Sequence, residues 1–416
     1  MGELLLPAID LLGFALLFAV RALYVGGTDV GFSYVDTPIR YAESFWARTL
    51  SYLQQHAYYA QLLVLPWNQS WDYSYDALPL VYSLDDVRLL AIAAAYGAIL
   101  AAVARAAATR SHSGVLGVGF IIIPFVPCSN LFFLVGTTVA ERLLYPSTAG
   151  WTLLVAASGS QLARARGRRL LWPLMACVLL MLYAFRAGLR TWHWRSRVAL
   201  FQADMRVWHR SAKVTHQYAS LLHGGGRFDE AIQYYASSLK IFDDNALTDY
   251  CIAQCQLQLE RYTEADARFE KIMAGHGIGF GAHNSHLLNV DYGWLLARLG
   301  RHKDANQVLS EGVRLRPDIA YAWNALGVAK ASLGDAQDAL SCLLKAIELQ
   351  PRNALAWSNA AAVASAGGAH AQARDAVRNA LALAPHDRNA LQNGRVLLEG
   401  RAGPEQQLVL GLFLDF

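Results

Sequence analysis

"AYAWNALGVAKASLGDAQDALSCLLKAIELQPRN", residues 320–353, carries the pattern on which the second half of the chain is built. Its landmarks recur at a fixed step. Pro317, Pro351 and Pro385 are each 34 residues apart. Trp323 and Trp357 repeat with that step, as do Gly300, Gly334 and Gly368, and Ala305, Ala339 and Ala373. Each period reads as a pair of helices. Small residues at Gly327 and Ala339 let the pair approach closely, Trp323 and Leu326 fill the space between units, and proline stops the second helix.

A period of 34 with these residues is the tetratricopeptide signature. Earlier units begin near Ala212, Ala246 and His286, and a fifth covers 354–387. The step from the second unit to the third is 40, so about six extra residues lie in "GHGIGFGAHN" (275–284). "RNALQNGRVLLEG" (388–400) reads as a capping helix, and the apolar tail "PEQQLVLGLFLDF" (404–416) as a segment that docks on the last repeat. Stacked repeats form a concave surface that binds peptide or protein. Tyr218, Tyr234, Tyr292 and Asn324 are the groove candidates, against the plainer reading of such residues as core.

The first half is different. The whole chain is 55% hydrophobic and 16% charged, where a soluble protein carries about 25% charge. The deficit falls in roughly the first 200 residues. The expected organisation is all-α: a multi-span helical membrane module over 1–200 with a lumenal loop at 26–87, a tetratricopeptide α-solenoid of five repeats and a cap over 201–400, and a tail over 401–416. Spans are expected near 5–25, 88–108, 114–136, 147–163 and 169–187. The first is a retained span rather than a secretory signal, because Glu3 stands where a basic region would be. The run 45–67 is amphipathic and reads as an interfacial helix or as a sixth span.

Loop charges set an orientation. Arg105 and Arg110 follow the second span, and Arg164, Arg166, Arg168 and Arg169 follow the fourth, which marks those loops as cytosolic. Glu141, Arg142 and everything after Trp192 then fall in the lumen, although Arg186, Arg190, Arg195 and Arg197 count against this. Asn68-Gln69-Ser70 is a glycosylation sequon on the same side. The net charge of +4 without a basic stripe argues against nucleic acid. Of the five cysteines, Cys251 and Cys255 are four apart on one helix, a spacing that favours free thiols over a disulfide. No zinc spacing, nucleotide loop or nucleophile elbow is present in the sequence, and no metal or bound cofactor is expected.

"PFVPCSNLFFLVGTTVAERLLYPS" (124–147) resembles the longest motif of the TMTC family, the transmembrane and tetratricopeptide repeat proteins of the endoplasmic reticulum. "VDTP" (35–38), "ARTLSY" (47–52), "WDYSYDALPLV" (71–81), "DVR" (86–88) and the linker "TWHWRSRVALFQADMRVWHRSAKVTHQYA" (191–219) match in the same order. The chain departs from the motif in having no residue between Tyr145 and Pro146.

The resemblance implies a partial GT-C type membrane module and an O-mannosyltransferase. Such an enzyme moves mannose from dolichyl-phosphate mannose to serine or threonine of lumenal, cadherin-like proteins, with the repeats binding the acceptor. The family's catalytic acidic pair belongs to a segment preceding the matched residues, so no catalytic residue is assigned. The chain is then expected to be a truncated gene model or a reduced relative, and the alternative activity is none: a membrane-anchored scaffold of the endoplasmic reticulum lumen. Arg142 suits the lipid phosphate of the donor, with Glu141 orienting it. The other reading of Glu141 and Arg142 is a structural ion pair. Tyr145, Asp36 and Arg48, within the matched motifs, complete the substrate candidates.

Overall fold

The computed structural model describes residues 37–74, 77–131, 136–165, 171–275 and 285–398. The span expected at 5–25, Asp36, most of the 275–284 insertion and the 401–416 tail lie outside the described residues. The chain divides into two compact units, Met1–Val214 and Thr215–Phe416.

The first unit contains α1 (Phe45–Val64), α2 (Arg88–Thr109), α3 (His112–Ile122), α4 (Tyr145–Ala165), α5 (Leu171–Trp194) and α6 (Arg197–Trp208). Serines open three of them. Ser44, Ser111 and Ser196 accept from Ala47 N, Gly114 N and Ala199 N, satisfying donors that a helix start leaves free. Between α1 and α2 the chain is tied down by Arg88. Its guanidinium grips both oxygens of Asp86 and donates to the carbonyls of Pro79 and Leu80. Val81 N donates to Ser51 Oγ on α1 at 2.9 Å, so a polar side chain on a buried face has a partner.

Among the described residues two helices are long and apolar enough to cross a membrane: α2 and the Trp172–Trp194 stretch of α5. Both present bare apolar flanks. On α2 only Ile92 and Ala106 are buried, while Leu90, Leu100 and Val103 are exposed. On α5 Leu174, Val178, Met181 and Phe185 are exposed. Faces of this kind belong in lipid. The other expected spans differ. The helix in 114–136 is α3, with 11 residues, and it stops ahead of Pro124 and Pro127 because proline disfavours helix in the residue before it and lacks the N–H to continue. The 147–163 span falls in α4, which has 21 residues but is diluted by serine, threonine and glycine. The run 45–67 forms α1, which buries Leu50, Ser51, Gln55, Tyr59 and Leu62 within the protein.

The α3–α4 contact is a close approach. A Cβ on Gly117 would lie 2.7 Å from Leu154, and one on Gly150 would lie 2.5 Å from the carbonyl oxygen of Gly117. Only glycine permits these backbones to touch.

The second unit is a stack of helix pairs. They are α7 (Ala212–Gly224) with α8 (Phe228–Ile241), α9 (Ala246–Gln258) with α10 (Tyr262–Met273), α11 (Ser285–Arg298) with α12 (His302–Leu315), α13 (Ala320–Ser332) with α14 (Ala336–Leu349), and α15 (Ala354–Ala366) with α16 (His370–Leu383). α17 (Arg388–Leu398) packs on α16. Trp323 Nε1 donates to Pro317 O at 2.8 Å, and Trp357 Nε1 repeats this to Pro351 O at 2.9 Å. Each half-buried indole is thus fastened to the carbonyl that closes the preceding unit. All five cysteines are free thiols.

The turn inside each pair is also repeated. At Gly334 φ is +89°, and Asp335 N reaches back to Lys330 O while Gly334 N bonds Ala331 O. This left-handed cap satisfies the last carbonyls of the helix. Glu260, at the equivalent position of the second pair, holds φ +56° with a Cβ in place. A non-glycine residue in that region costs about 1–2 kcal/mol. Glu260→Gly should therefore raise stability by about 1 kcal/mol. Gly327→Ala should lower it by about 1–3 kcal/mol, because its Cβ would sit 2.7 Å from Leu343. Thermal melts of the two variants check both signs.

Two buried titrating groups of this unit pull in opposite directions. Asp291 accepts from Tyr250 Oη at 2.5 Å and Tyr321 Oη at 3.2 Å, yet its burial lifts its pKa from 3.8 to about 6. His216 lies against Thr248 and Tyr235, and burial lowers its pKa from 6.5 to about 4. The folded unit holds the Asp291 proton more tightly than the unfolded chain, so that contribution is full below 3.8 and is lost as pH rises through about 6. The His216 contribution is full above 6.5 and is lost as pH falls through about 4. They offset each other in the native chain. Relative to wild type, Asp291→Asn should lose stability on acidification from pH 6.5 to about 4, and His216→Gln should gain it. Melting temperature against pH for the three proteins is the check.

Candidate functional site

The site is assembled on the loop that follows α1. Asn68 turns the chain at φ +55°, and its carbonyl accepts from Tyr58 Oη at 2.9 Å and Trp208 Nε1 at 3.0 Å. The Tyr58, Tyr73 and Trp208 rings meet edge to face, with centroids 5.4–6.0 Å apart. This aromatic cluster fixes where residues 68–73 run.

Glu141 locks that loop from the other side. It begins a short 3-10 turn, Glu141–Leu144, just ahead of α4. Its Oε1 accepts from Tyr73 Oη at 2.6 Å and Ser70 N at 3.1 Å, and its Oε2 from Gln69 Nε2 at 2.9 Å. Burial and the adjacent Glu141 charge push the Tyr73 phenol far above its usual range, so it stays a donor. Ala140 N is held in turn by Tyr59 Oη at 2.8 Å.

Asp204 on α6 closes the arrangement. It is 1% exposed, accepts from Trp71 N at 2.8 Å and Ser70 Oγ at 3.2 Å, and pairs with Arg190 Nη1 of α5 at 2.8 Å. Asp72 pairs with Lys213 at 2.8 Å and also holds the hydroxyl and amide of Ser74.

A cleft of about 380 Å3 opens beside these groups, lined by Ser70, Asp72, Thr137, Glu141, Arg142 and Trp194 among others. Thr137 Oγ1 and Trp71 Nε1 border it as buried polar atoms without a partner among the described residues. Arg142 is exposed there, and it forms no ion pair with Glu141 or any other described residue. The expectation that Glu141 orients Arg142, and the rival that they form a structural pair, are both replaced. The carboxylate is taken up by three donors from the 69–73 loop, while the neighbouring guanidinium faces the cleft.

The remaining candidates fall elsewhere. Tyr145 is 83% exposed and Arg48 donates to Ala42 O at 3.1 Å; neither lines the cleft. Asp36 lies outside the described residues. Asn68 is exposed, as a glycan acceptor must be, but the sequon hydroxyl of Ser70 is buried on Asp204. In the repeats, Tyr218 and Tyr234 pack edge to face at 4.8 Å and remain partly accessible. Tyr292 is core, stacked on Phe269 at 5.4 Å, and Asn324 is buried, accepting from Asn359 Nδ2 at 3.0 Å. Both point into the stack, Tyr292 toward α10 of the preceding pair and Asn324 toward α15 of the next.

Sequence reasoning passed over Gln69, Ser70, Tyr73, Asp204 and Arg190. The available signal was that Trp71 to Val81 and the linker at 191–219 were both matched motifs rich in polar groups, on a chain poor in charge.

Three comparisons bear on this chain. The family description "Protein O-mannosyl-transferase TMTC, DUF1736" matches residues 26–100, and "Tetratricopeptide repeat" matches 320–353. Protein O-mannosyl-transferase TMTC4 of Mus musculus is 34% identical over 53% of this chain and 32% of its own length. Protein O-mannosyl-transferase TMTC1 of Mus musculus is 35% identical over 54% of this chain and 25% of its own. Protein O-mannosyl-transferase Tmtc3 of Drosophila melanogaster is 28% identical over 75% of this chain and 35% of its own. The chain thus spans about a third or less of these relatives. Among solved structures, YrrB, a TPR protein with an unusual peptide-binding site, overlaps 47% of this chain and 97% of its own at 23% identity and a TM-score of 0.40. Through the ordered motifs, the matched family description and these relatives, the chain is similar to members of the TMTC family.

Proposed function

We propose that the chain acts in protein O-mannosylation at the endoplasmic reticulum membrane. In this reading mannose passes from dolichyl-phosphate mannose to serine or threonine of lumenal, cadherin-like proteins. The observation that carries it is the cleft beside Glu141, in which Arg142 stands without a carboxylate partner among the described residues, within the family's longest motif. The acceptor hydroxyl oxygen bonds to the sugar's C1 as the C1–O bond to phosphate breaks, dolichyl phosphate leaves with the bonding electrons, and the hydroxyl proton is released with it. A guanidinium directed at that phosphate stabilises the charge that develops as the bond breaks. Arg142 has this role, and Glu141 holds the loop that forms the opposite wall. The repeats bind the acceptor protein, with Tyr218 and Tyr234 as the accessible aromatic pair.

The lumenal orientation of the repeats rests on Arg105 and Arg110 at the end of α2 and on Arg164, Arg166, Arg168 and Arg169 between the fourth and fifth expected spans. Arg186 and Arg190, which count the other way, are occupied by Trp67, Pro66 O and Asp204 rather than left as loop charges. In sealed microsomes residues 215–398 should resist protease until detergent is added; digestion without detergent refutes the orientation.

Arg142→Ala should lower mannosyl transfer by about 100-fold or more with an unchanged melting temperature, and Arg142→Lys should restore little, since lysine lacks the planar fork. Tyr73→Phe should lower stability by about 1–3 kcal/mol by leaving Glu141 short of a donor. Transfer from labelled dolichyl-phosphate mannose to a cadherin-type domain, in membranes carrying each variant, measures the first effect. Full transfer by a stable Arg142→Ala protein removes Arg142 from the reaction. Acceptor capture by the repeats without any transfer by the native chain establishes the scaffold alternative.

A further inference from the structure

A second cleft, of about 230 Å3, takes no part in the reading above. It lies between the loop after α1 and one face of α5 and α6, bordered by Trp67, Gln69, Arg186, Arg190, His193 and Asp204. Arg186, Arg190 and His193 are spaced four and three residues apart on α5, which sets them on one face of the helix.

The charges there do not balance. Asp204 is the one carboxylate bordering the cleft, and it meets Arg190 through Nη1 alone, its Oδ2 being used by Trp71 N and Ser70 Oγ. Arg190 Nε and Nη2 are buried and have no acceptor among the described residues. Arg186 lies 4.3 Å over the Trp67 ring and gives Nε and Nη2 to Pro66 O, but pairs with no described carboxylate. Two guanidinium charges and an imidazole thus share one acid. A buried donor left without an acceptor is costly, and a charge-assisted bond to an oxyanion is the strongest way to satisfy it.

The position narrows the ligand. The cleft is at the C-terminal end of a helix apolar enough to span a bilayer; exposed Trp67 borders it, and the same helix ends with exposed Trp192 and Trp194. Aromatic residues of this kind mark the headgroup level of a membrane. Its other walls are Asn68 and the apolar Leu189, Ala203 and Val207.

We propose that this cleft binds a phosphate group, carried by a lipid headgroup or free in solution. One oxygen pair takes the Nε and Nη2 fork of Arg190, and Arg186 and His193 flank the same group. The site is distinct from the one assigned to Arg142. Asp204 stands between the two clefts, bonded to Ser70 and Trp71 of one and to Arg190 of the other. The proposal is read by binding and requires no transfer activity.

The test uses the full chain. Melting temperature is measured in phosphatidylcholine nanodiscs with and without phosphatidic acid, and in detergent with inorganic phosphate against potassium chloride at equal ionic strength. A ligand of the folded state raises the melting temperature. A rise with phosphatidic acid alone assigns the site to a lipid headgroup; a rise with inorganic phosphate as well assigns it to phosphate from either source. Arg190→Gln breaks the pair with Asp204 and is open to misfolding, so Arg190→Lys and Arg186→Gln are the informative variants. Each should weaken binding by about tenfold or more while melting normally without the anion. No rise for the native chain with either probe overturns the inference, as does native-like binding by both variants. Loss confined to Arg142→Ala also overturns it, by moving the phosphate to the other cleft.

Discussion

The buried carboxylate of Asp204 is the tie on which the first unit depends. It ties the loop after α1, through Ser70 and Trp71, to two consecutive helices more than a hundred residues later: α5 through Arg190, and its own helix α6. A carboxylate out of contact with water must have its charge answered, and here a guanidinium, an amide and a hydroxyl answer it. Removing the acid would strand Arg190 as a buried cation with no acceptor for any of its paired donors. Asp204 borders the second cleft and bonds Ser70 and Trp71, which line the first.

Glu141 performs a related task with a different outcome. Its oxygens are filled by Tyr73, Ser70 and Gln69, which makes it a fastener of the 69–73 loop. Arg142, one residue on, is left facing the cleft. In a short 3-10 turn successive side chains leave in directions about 120° apart. Adjacent acid and base on such a turn therefore need not pair with each other, and here only Glu141 is bonded to the 69–73 loop.

In the repeat unit the governing constraint is distance between backbones. Gly327 over Leu343, and Gly293 over Leu309, let the first helix of a pair rest on the second. The left-handed turns at Gly300, Gly334 and Gly368 then reverse the chain in the same way each time. Identical local geometry repeated at a fixed step is what turns five pairs into one stack.

The periodicity of proline, tryptophan, glycine and alanine determined the helix pairs of the repeat unit before any coordinates, because each landmark answers a local need: a helix stop, a gap filler, a left-handed turn, a close contact. Apolar run length likewise marked α2 and α5, the two described helices long and apolar enough to cross a membrane. Run length failed at 114–136, where Pro124 and Pro127 divide one uncharged stretch into a short helix and a turn. Local chemistry of that kind is written in the chain itself. The partners of Glu141, the burial of Tyr292 and Asn324, and the meeting of Arg190 with Asp204 were decided only by tertiary structure. Each depends on which way a side chain points once distant segments have packed, and sequence spacing carries no information about that direction across loops.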